Sequence, residues 1–384
     1  MSAYPKPDPE EISADLQFWD QLDDHRPGRA GERATDEWLM AQISSLGLQP
    51  EVASFAISRR EPGVGLVVLG DKQANGLVCL DGPLQDRTPL EGVAGALGSN
   101  AAIGVGEFPP NGSPHLEAAR RSDKHQAIVA ISAAEQIVPG LAVQNAEGFR
   151  APYGPPVLQV SSHDADWLIP AAEVGATLSV QAEMTSAPAT IANVQTTISG
   201  RNRQLPPLII MTPKSAWWTC TAERGGGICA WLACLRCFAT AQPTRDIVFT
   251  ANTGHELSHL GLDEFTRTHP SWPAQAHAWL HLGANFASKA GHILWQASDA
   301  AWLERGSQRL EQILSEAPRL TPLGARPFGE ARNIFDAGGR YVSLLGDNRW
   351  FHHPEDRLDI AVDLQRTAAL CQFIVEVAGE LASS

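Results

Sequence analysis

The chain has 384 residues, 43% of them hydrophobic, and a formal charge of -14. That length and apolar content suffice for one large core or two moderate ones, while the acidic balance argues against nucleic acid, whose phosphates are held by Lys/Arg-rich surfaces through counterion release. No stretch reaches the roughly 18 consecutive apolar residues of a membrane span, and the opening "MSAYPKPDPEEISADL" has neither a basic nor an apolar run, so a cytoplasmic protein with no membrane partner is expected.

Residues 12 to 50 carry two helical patterns around the turn-like "HRPGRAGE", the second ending at Gly47. From about residue 60 to 185 the texture changes to short Val/Ile/Leu runs such as "GVGLVVLGD", "QAIVAIS" and "PPVLQVS", separated by Gly, Pro, Asn and Asp; this predicts a β-rich module with a few helices. Beyond "TSAPATIANVQTTISG" strands and helices alternate: "PLIIMT", a helix over about 224 to 240, "DIVFTAN", a helix over about 257 to 268, "AHAWLHLGAN", "HILWQAS" and a last helix over about 361 to 381. Such alternation predicts an α/β fold, a mostly parallel mixed sheet flanked by helices on both faces. The expected division is 1-59 (N-terminal helices), 60-185 (β-rich insert) and 186-384 (α/β domain).

Six cysteines in so long a chain read as reduced thiols. Cys234 and Cys237 form a Cys-x-x-Cys, but inside the apolar run "GICAWLACLRCFATA" and with no second pair at zinc-site spacing. They are expected to be small buried hydrophobes.

"TGHELSHLGLDEF" contains a His-Glu-x-x-His, the spacing by which a zincin helix presents two zinc ligands and a general base. A zincin needs that segment helical. The preceding "RDIVFTANTG" is instead a β-branched run ending in Asn, Thr and Gly, which places His255 and Glu256 at the C-terminal end of a strand, the edge where open α/β sheets gather their ligands.

The segment order resembles the di-zinc aminopeptidase family that includes the glutaminyl cyclases. There a strand ends in His-x-Asp-Ser, a Gly-rich turn carries Asp-Asn before a helix, a strand ends in Glu-Glu before Gly-Leu-x-Gly-Ser, another ends in Asn-Leu-Asp, and a Tyr-His-Thr-Pro-x-Asp loop comes last. "PLIIMTPKSAW" is similar to the first, with Ser215 at the Ser; "TAERGGGICAWLACLR" to the second; "FTANTGHELSHLGLDEF" to the third; "LHLGANFAS" to the fourth; and "RWFHHPEDRLD" to the last. The intervening module is similar to the protease-associated domain that many members insert at this point.

The resemblance implies that the bridging carboxylate falls on Glu223, the second-metal carboxylate on Glu256 and the last ligand on His352. The first metal's ligands fall on Thr212, Lys214 and Gly283, so that site is lost; the general base becomes His255, and the Asn after the bridging carboxylate becomes Arg224. Two readings stay open. Glu223, Glu256 and His352 are a sufficient set for one zinc or another divalent metal per chain, serving a hydrolase that cleaves an amide or related C-N bond of a small molecule or short peptide. His255 is then either the base or a fourth ligand that closes the site, and Lys214 an oxyanion donor, with a metal-free variant if Lys214 has a lowered pKa. Alternatively Lys214 and Arg224 neutralise the two carboxylates directly, leaving a non-catalytic binding or scaffold protein.

Trp217, Trp218 and Trp350 are candidate walls of a substrate pocket, with ordinary packing the alternative. His259, His281 and His353 are expected to support the fold around the site rather than to ligate, and a homodimer is a family-level expectation.

Overall fold

The computed structural model describes residues 5-22, 24-135 and 137-384. Two helices come first, α1 (Pro9–Asp20) and α2 (Ala30–Ser45). Asp8 caps α1 by accepting from Glu10 N, with Pro9 at the first helical position, where its missing N–H costs nothing.

Then follow β1 (Glu51–Leu69), β2 (Lys72–Val78), β3 (Leu90–Ala96), β4 (Ile103–Phe108), α3 (Pro114–Arg121), β5 (Ala127–Ser132), β6 (Val157–Val160), α4 (Ala165–Glu173) and β7 (Thr177–Ile198). The α/β part continues as β8 (Leu208–Pro213), α5 (Gly226–Ala239), β9 (Ile247–Asn252), α6 (Leu260–Thr268), α7 (Trp272–Gln275), β10 (Ala278–Leu282), β11 (Ile293–Ala297), α8 (Ala300–Leu314), β12 (Arg319–Leu320), α9 (Ala331–Asp336), β13 (Tyr341–Gly346), α10 (Leu358–Ala361) and α11 (Leu364–Ser383).

All strands join one sheet in the order β1-β2-β6-β5-β4-β3-β7-β9-β8-β10-β13-β11-β12. β9, β8, β10 and β13 are parallel, flanked by antiparallel β7 and β11, so the mixed α/β class expected from the alternation is what forms. The parallel strands are buried along their whole length, which is why they read as continuous apolar runs. Their core includes α5 and α11, with Trp231, Phe249, Leu280 and Phe373 fully buried. Cys234 and Cys237 are free and buried on α5.

The module between residues 51 and 198 is itself part parallel: β3, β4, β5 and β6 run parallel, with α3 and α4 in the connections. It is joined to the main sheet by β1 and β7, which pair antiparallel along most of their length with an irregularity between Pro62 and Gly65. The expected boundaries near residues 59 and 185 lie within these two strands.

β9 and β10 lie on opposite sides of β8, so the chain changes direction there and opens a crevice at the carboxyl ends of the parallel strands. Lys214 N donates to Asn252 O across the ends of β8 and β9, at 2.8 Å. The module closes over that edge: Trp217 and Leu257, from the loops after β8 and β9, and Leu260, the first residue of α6, belong to the module's own apolar core. Among the described residues no helix is long and apolar enough to cross a membrane.

Candidate functional site

Residues 250-260 form the end of β9, a short 3-10 turn over His255–Leu257 and the first residue of α6; the His-Glu-x-x-His segment is not a helix. His259, expected on the helix, precedes it at φ 57° as its N-cap residue. Its Nδ1 lies 2.8 Å from Asn333 Oδ1, and its ring stacks on His255 at 4.7 Å.

Glu223 lies in a π-helical turn, Thr221–Gly225, that leads into α5. Gly227 lets that helix approach the end of β8, since a Cβ there would lie 2.6 Å from Thr212 Oγ1. The turn is anchored by Asp356, whose carboxylate accepts from Ala222 N at 2.7 Å, Glu223 N at 3.0 Å and Asn348 Nδ2 at 3.0 Å. His352 sits on the loop after β13 at φ 57°, and its Nδ1 donates to Val143 O of the module at 2.7 Å. A non-glycine residue held in that left-handed region costs about 1 kcal/mol or more, so surrounding contacts must enforce it.

The structure brings Glu223, Arg224, Glu256 and His352 together, each no more than 1% exposed. Arg224 Nη2 lies 2.9 Å from Glu223 Oε1 and 3.0 Å from Glu256 Oε1, while its Nε donates to Ser215 O at 2.9 Å. Ser215 Oγ donates to the other Glu256 oxygen at 2.6 Å. His352 Nε2 is 3.3 Å from Glu223 Oε1. Burial alone would raise the Glu223 carboxyl, but the Arg224 charge and then His352 hold it down at about 2. Glu256 is shifted upward by burial, with Arg224 and Ser215 opposing. One guanidinium serves two carboxylates, and Glu223 is the one held firmly ionised.

Lys214 does not join this group. It is fully buried, and its Nζ lies 3.1 Å from Glu32 Oε1 and 2.6 Å from Asp36 Oδ1, both on α2. A lowered Lys214 pKa was one sequence expectation; burial does pull it down, but Glu32 and Asp36 outweigh burial and the net shift is upward. Lys214 is therefore a fixed cation rather than a base.

His255, expected as a base near neutrality, is shifted well below its ordinary value by burial and next by the Arg224 charge. Its Nδ1 lies 3.2 Å from Oε1 of Glu330, a residue no sequence signal singled out. A carboxylate only accepts, so Nδ1 carries the proton of the neutral ring and Nε2 the lone pair.

Trp217 is 1% exposed and its Nε1 donates to Asn145 Oδ1; Trp218 donates to His352 O; Trp350 lies under Lys289, 5.1 Å from Nζ to ring centre. Only Trp217 of the three lines a cavity with Glu256, of about 20 Å³, room for about one water. His281 Nδ1 lies 2.8 Å from Ser343 Oγ, and His353 Nδ1 accepts from Glu355 N.

The first-metal positions are filled by protein. Thr212 Oγ1 donates to Leu282 O at 3.0 Å, and a Cβ on Gly283 would lie 2.7 Å from Leu345 Cγ and 2.8 Å from His281 Cε1. The donors expected for a single zinc do not fit one as arranged. Glu223 and His352 converge, and neither Glu223 oxygen nor His352 Nε2 makes a well-aligned hydrogen bond. Both Glu256 oxygens, however, are taken by Arg224 and Ser215. A zinc bound to both carboxylates at about 2.0–2.2 Å would collide with the guanidinium between them.

Cys220, Glu223 and Asp356 also offer ligand atoms within 4.8 Å of one another. Burial pushes the Cys220 thiol well up, and burial followed by the Glu223 charge pushes Asp356 up to about 8, so two of the three keep their protons at neutral pH. Metal ligands must be deprotonated, so a cation held here would have to displace both protons.

By sequence the chain matches no family model and no curated protein. By structure it is similar to a zinc aminopeptidase from Bacillus subtilis, with TM-score 0.77 and 15% identity over 98% of this chain and 95% of that one. It is similar also to an aminopeptidase from Aneurinibacillus sp. strain AM-1, with TM-score 0.75 and 15% identity over 98% and 95% of the two chains. A peptidase M28 precursor from Shewanella amazonensis gives TM-score 0.74 and 15% identity over 98% and 97%. The chain thus has the zinc-aminopeptidase fold, as the motif order implied.

Proposed function

We propose that this protein uses the zinc-aminopeptidase fold without its metal centre, as a binding protein in which Arg224 supplies the charge that holds Glu223 and Glu256 together. The observation that carries this reading is the buried guanidinium, with one nitrogen 2.9 and 3.0 Å from the two carboxylates. A fixed cation there repels a dication, and the crowding around Gly283 leaves no room for a first-site carboxylate. One divalent metal per chain is the competing expectation; it requires Arg224 to leave the pocket and expose two buried carboxylates. The test is Arg224→Asn. Titrated with zinc against a chromophoric chelator, this variant is expected to bind about one zinc per chain and to gain thermal stability from it, whereas the unaltered protein does neither. Tight zinc binding by the unaltered protein, lost in Glu223→Gln, would overturn the reading.

A second reading rests on the Glu330–His255 contact. A buried carboxylate that orients an imidazole is the arrangement of a general-base dyad, and Nε2 could take a proton from a water attacking the amide of a small molecule or short peptide. That hydrolase would be metal-independent, with the Arg224 charge, which acts on His255, available to stabilise an oxyanion. Turnover of amino-acid anilides in chelator, abolished in both His255→Ala and Glu330→Gln, would favour it over the binding protein.

A further inference from the structure

The segment "HRPGRAGER", residues 25-33, lies between α1 and α2 and runs into the first turn of α2. Around it lies an open groove of about 720 Å³, lined by Leu22, Gly28, Arg29, Arg33 and Arg59 among others. Arg29 and Arg59 also line the small cavity that ends at Trp217 and Glu256, and there Arg26 and Arg60 join them. The two openings share Arg29 and Arg59, so five arginines line this adjoining pair in a chain whose formal charge is -14.

Their carboxylate partners are too few. Arg26 is held by Asp24, at 3.0 Å from Nε and 2.7 Å from Nη2. Arg29 and Arg59 share Glu61 alone. Arg33 donates to Gly28 O at 3.0 Å, and neither it nor Arg60 has an acidic partner among the described residues. The nearby acids Glu32 and Asp36 are spent on Lys214. These side chains are also held in place: Arg59, like Arg33, donates to Gly28 O, and the Arg26 guanidinium lies 5.6 Å from the centre of the Trp218 ring. Crowded like charges that are prepositioned yet reachable by solvent are stabilised by an incoming anion, and the planar guanidinium fork matches carboxylate and phosphate oxygens two at a time.

We infer that this groove binds the oxyanion of a small polyvalent ligand, a phosphate ester or a polycarboxylate. The groove itself is lined by no residue of the Arg224 cluster, which only the adjoining cavity reaches at Glu256, and anion binding there does not depend on the fate of the metal centre.

The test is calorimetric titration of the full chain with pyrophosphate, with citrate and with monovalent acetate at low salt. Saturable binding of pyrophosphate or citrate is expected, with acetate much weaker, and the stronger of the two names the source of the oxyanion. In the double variant Arg33→Gln/Arg60→Gln the affinity should fall ~10-fold or more, because charge-assisted hydrogen bonds are lost. Among the described residues neither side chain has an ion pair, so the melting temperature should fall by no more than the loss of the Arg33–Gly28 hydrogen bond accounts for. Arg203→Gln, whose one carboxylate partner is Asp246 near the start of β9, should bind as tightly as the unaltered protein. No binding of either polyvalent anion, or binding that the double variant leaves within about twofold, would overturn the inference.

Discussion

Arg224 follows Glu223 directly in the chain, yet the irregular helical turn at Thr221–Gly225 lets the Arg224 guanidinium fold back onto Glu223 while also reaching Glu256 in the turn after β9. The anchor of that turn, Asp356, makes a prediction of its own. Burial and the Glu223 charge raise its folded-state pKa to about 8, against about 3.9 in an unfolded chain. Between those values the folded protein holds a proton that the unfolded one has released, so the contribution of Asp356 to stability is full at low pH and is lost as pH rises through about 8. Asn at this position cannot titrate. The stability of the unaltered protein relative to Asp356→Asn should therefore decline as pH goes from about 4 to about 8, measured by urea denaturation at several pH values. A difference that stays flat or grows over that range would contradict the assignment. Glu223 has the opposite sign: it is held at about 2, so its share of stability is present above about 4.5 and is lost as pH falls through about 2.

At the scale of elements, Lys214 ties helix α2 to the end of strand β8 through Glu32 and Asp36. Removing one member of a buried ion group leaves uncompensated charge, so Lys214→Met should cost about 3–5 kcal/mol in urea unfolding. Adding Glu32→Gln should recover part of that loss, whereas a single-variant cost below about 1 kcal/mol would mean that Lys214 is not the tie described.

The alternation of strand and helix after residue 200 was legible because parallel strands buried on both faces leave continuous apolar runs. The length of β1 and β7 was not. Residues 51-69 include Pro62, Gly63 and Gly65, which read as breaks, and much of the ribbon is exposed. Its continuity comes from backbone pairing across an irregularity rather than from an apolar period. In the site, Glu223, Arg224, Glu256 and His352 were singled out by the resemblance to the aminopeptidase motifs, and the structure brings them together. Asp356 had a signal, four residues after His352, that pointed to the loop but not to its hold on the Glu223 turn. Glu330 had none, because it lies in the irregular segment before α9, where no periodicity marks a buried acid.

At the scale of the whole molecule, the module between residues 51 and 198 seals the strand edge where a peptidase fold would otherwise open. Val143 O accepts from His352 Nδ1, Ala146 N donates to Glu256 O at 2.7 Å, and Trp217 packs in the module's core. Glu223 is fully buried beneath these contacts. The measurement that tests this account most directly is the metal content of protein purified without chelator and then offered zinc, read by plasma mass spectrometry after desalting. The account predicts far less than one zinc per chain, with Arg224 remaining between its two carboxylates. One zinc retained per chain, and released by Glu223→Gln or His352→Ala, would contradict it and restore the metallohydrolase.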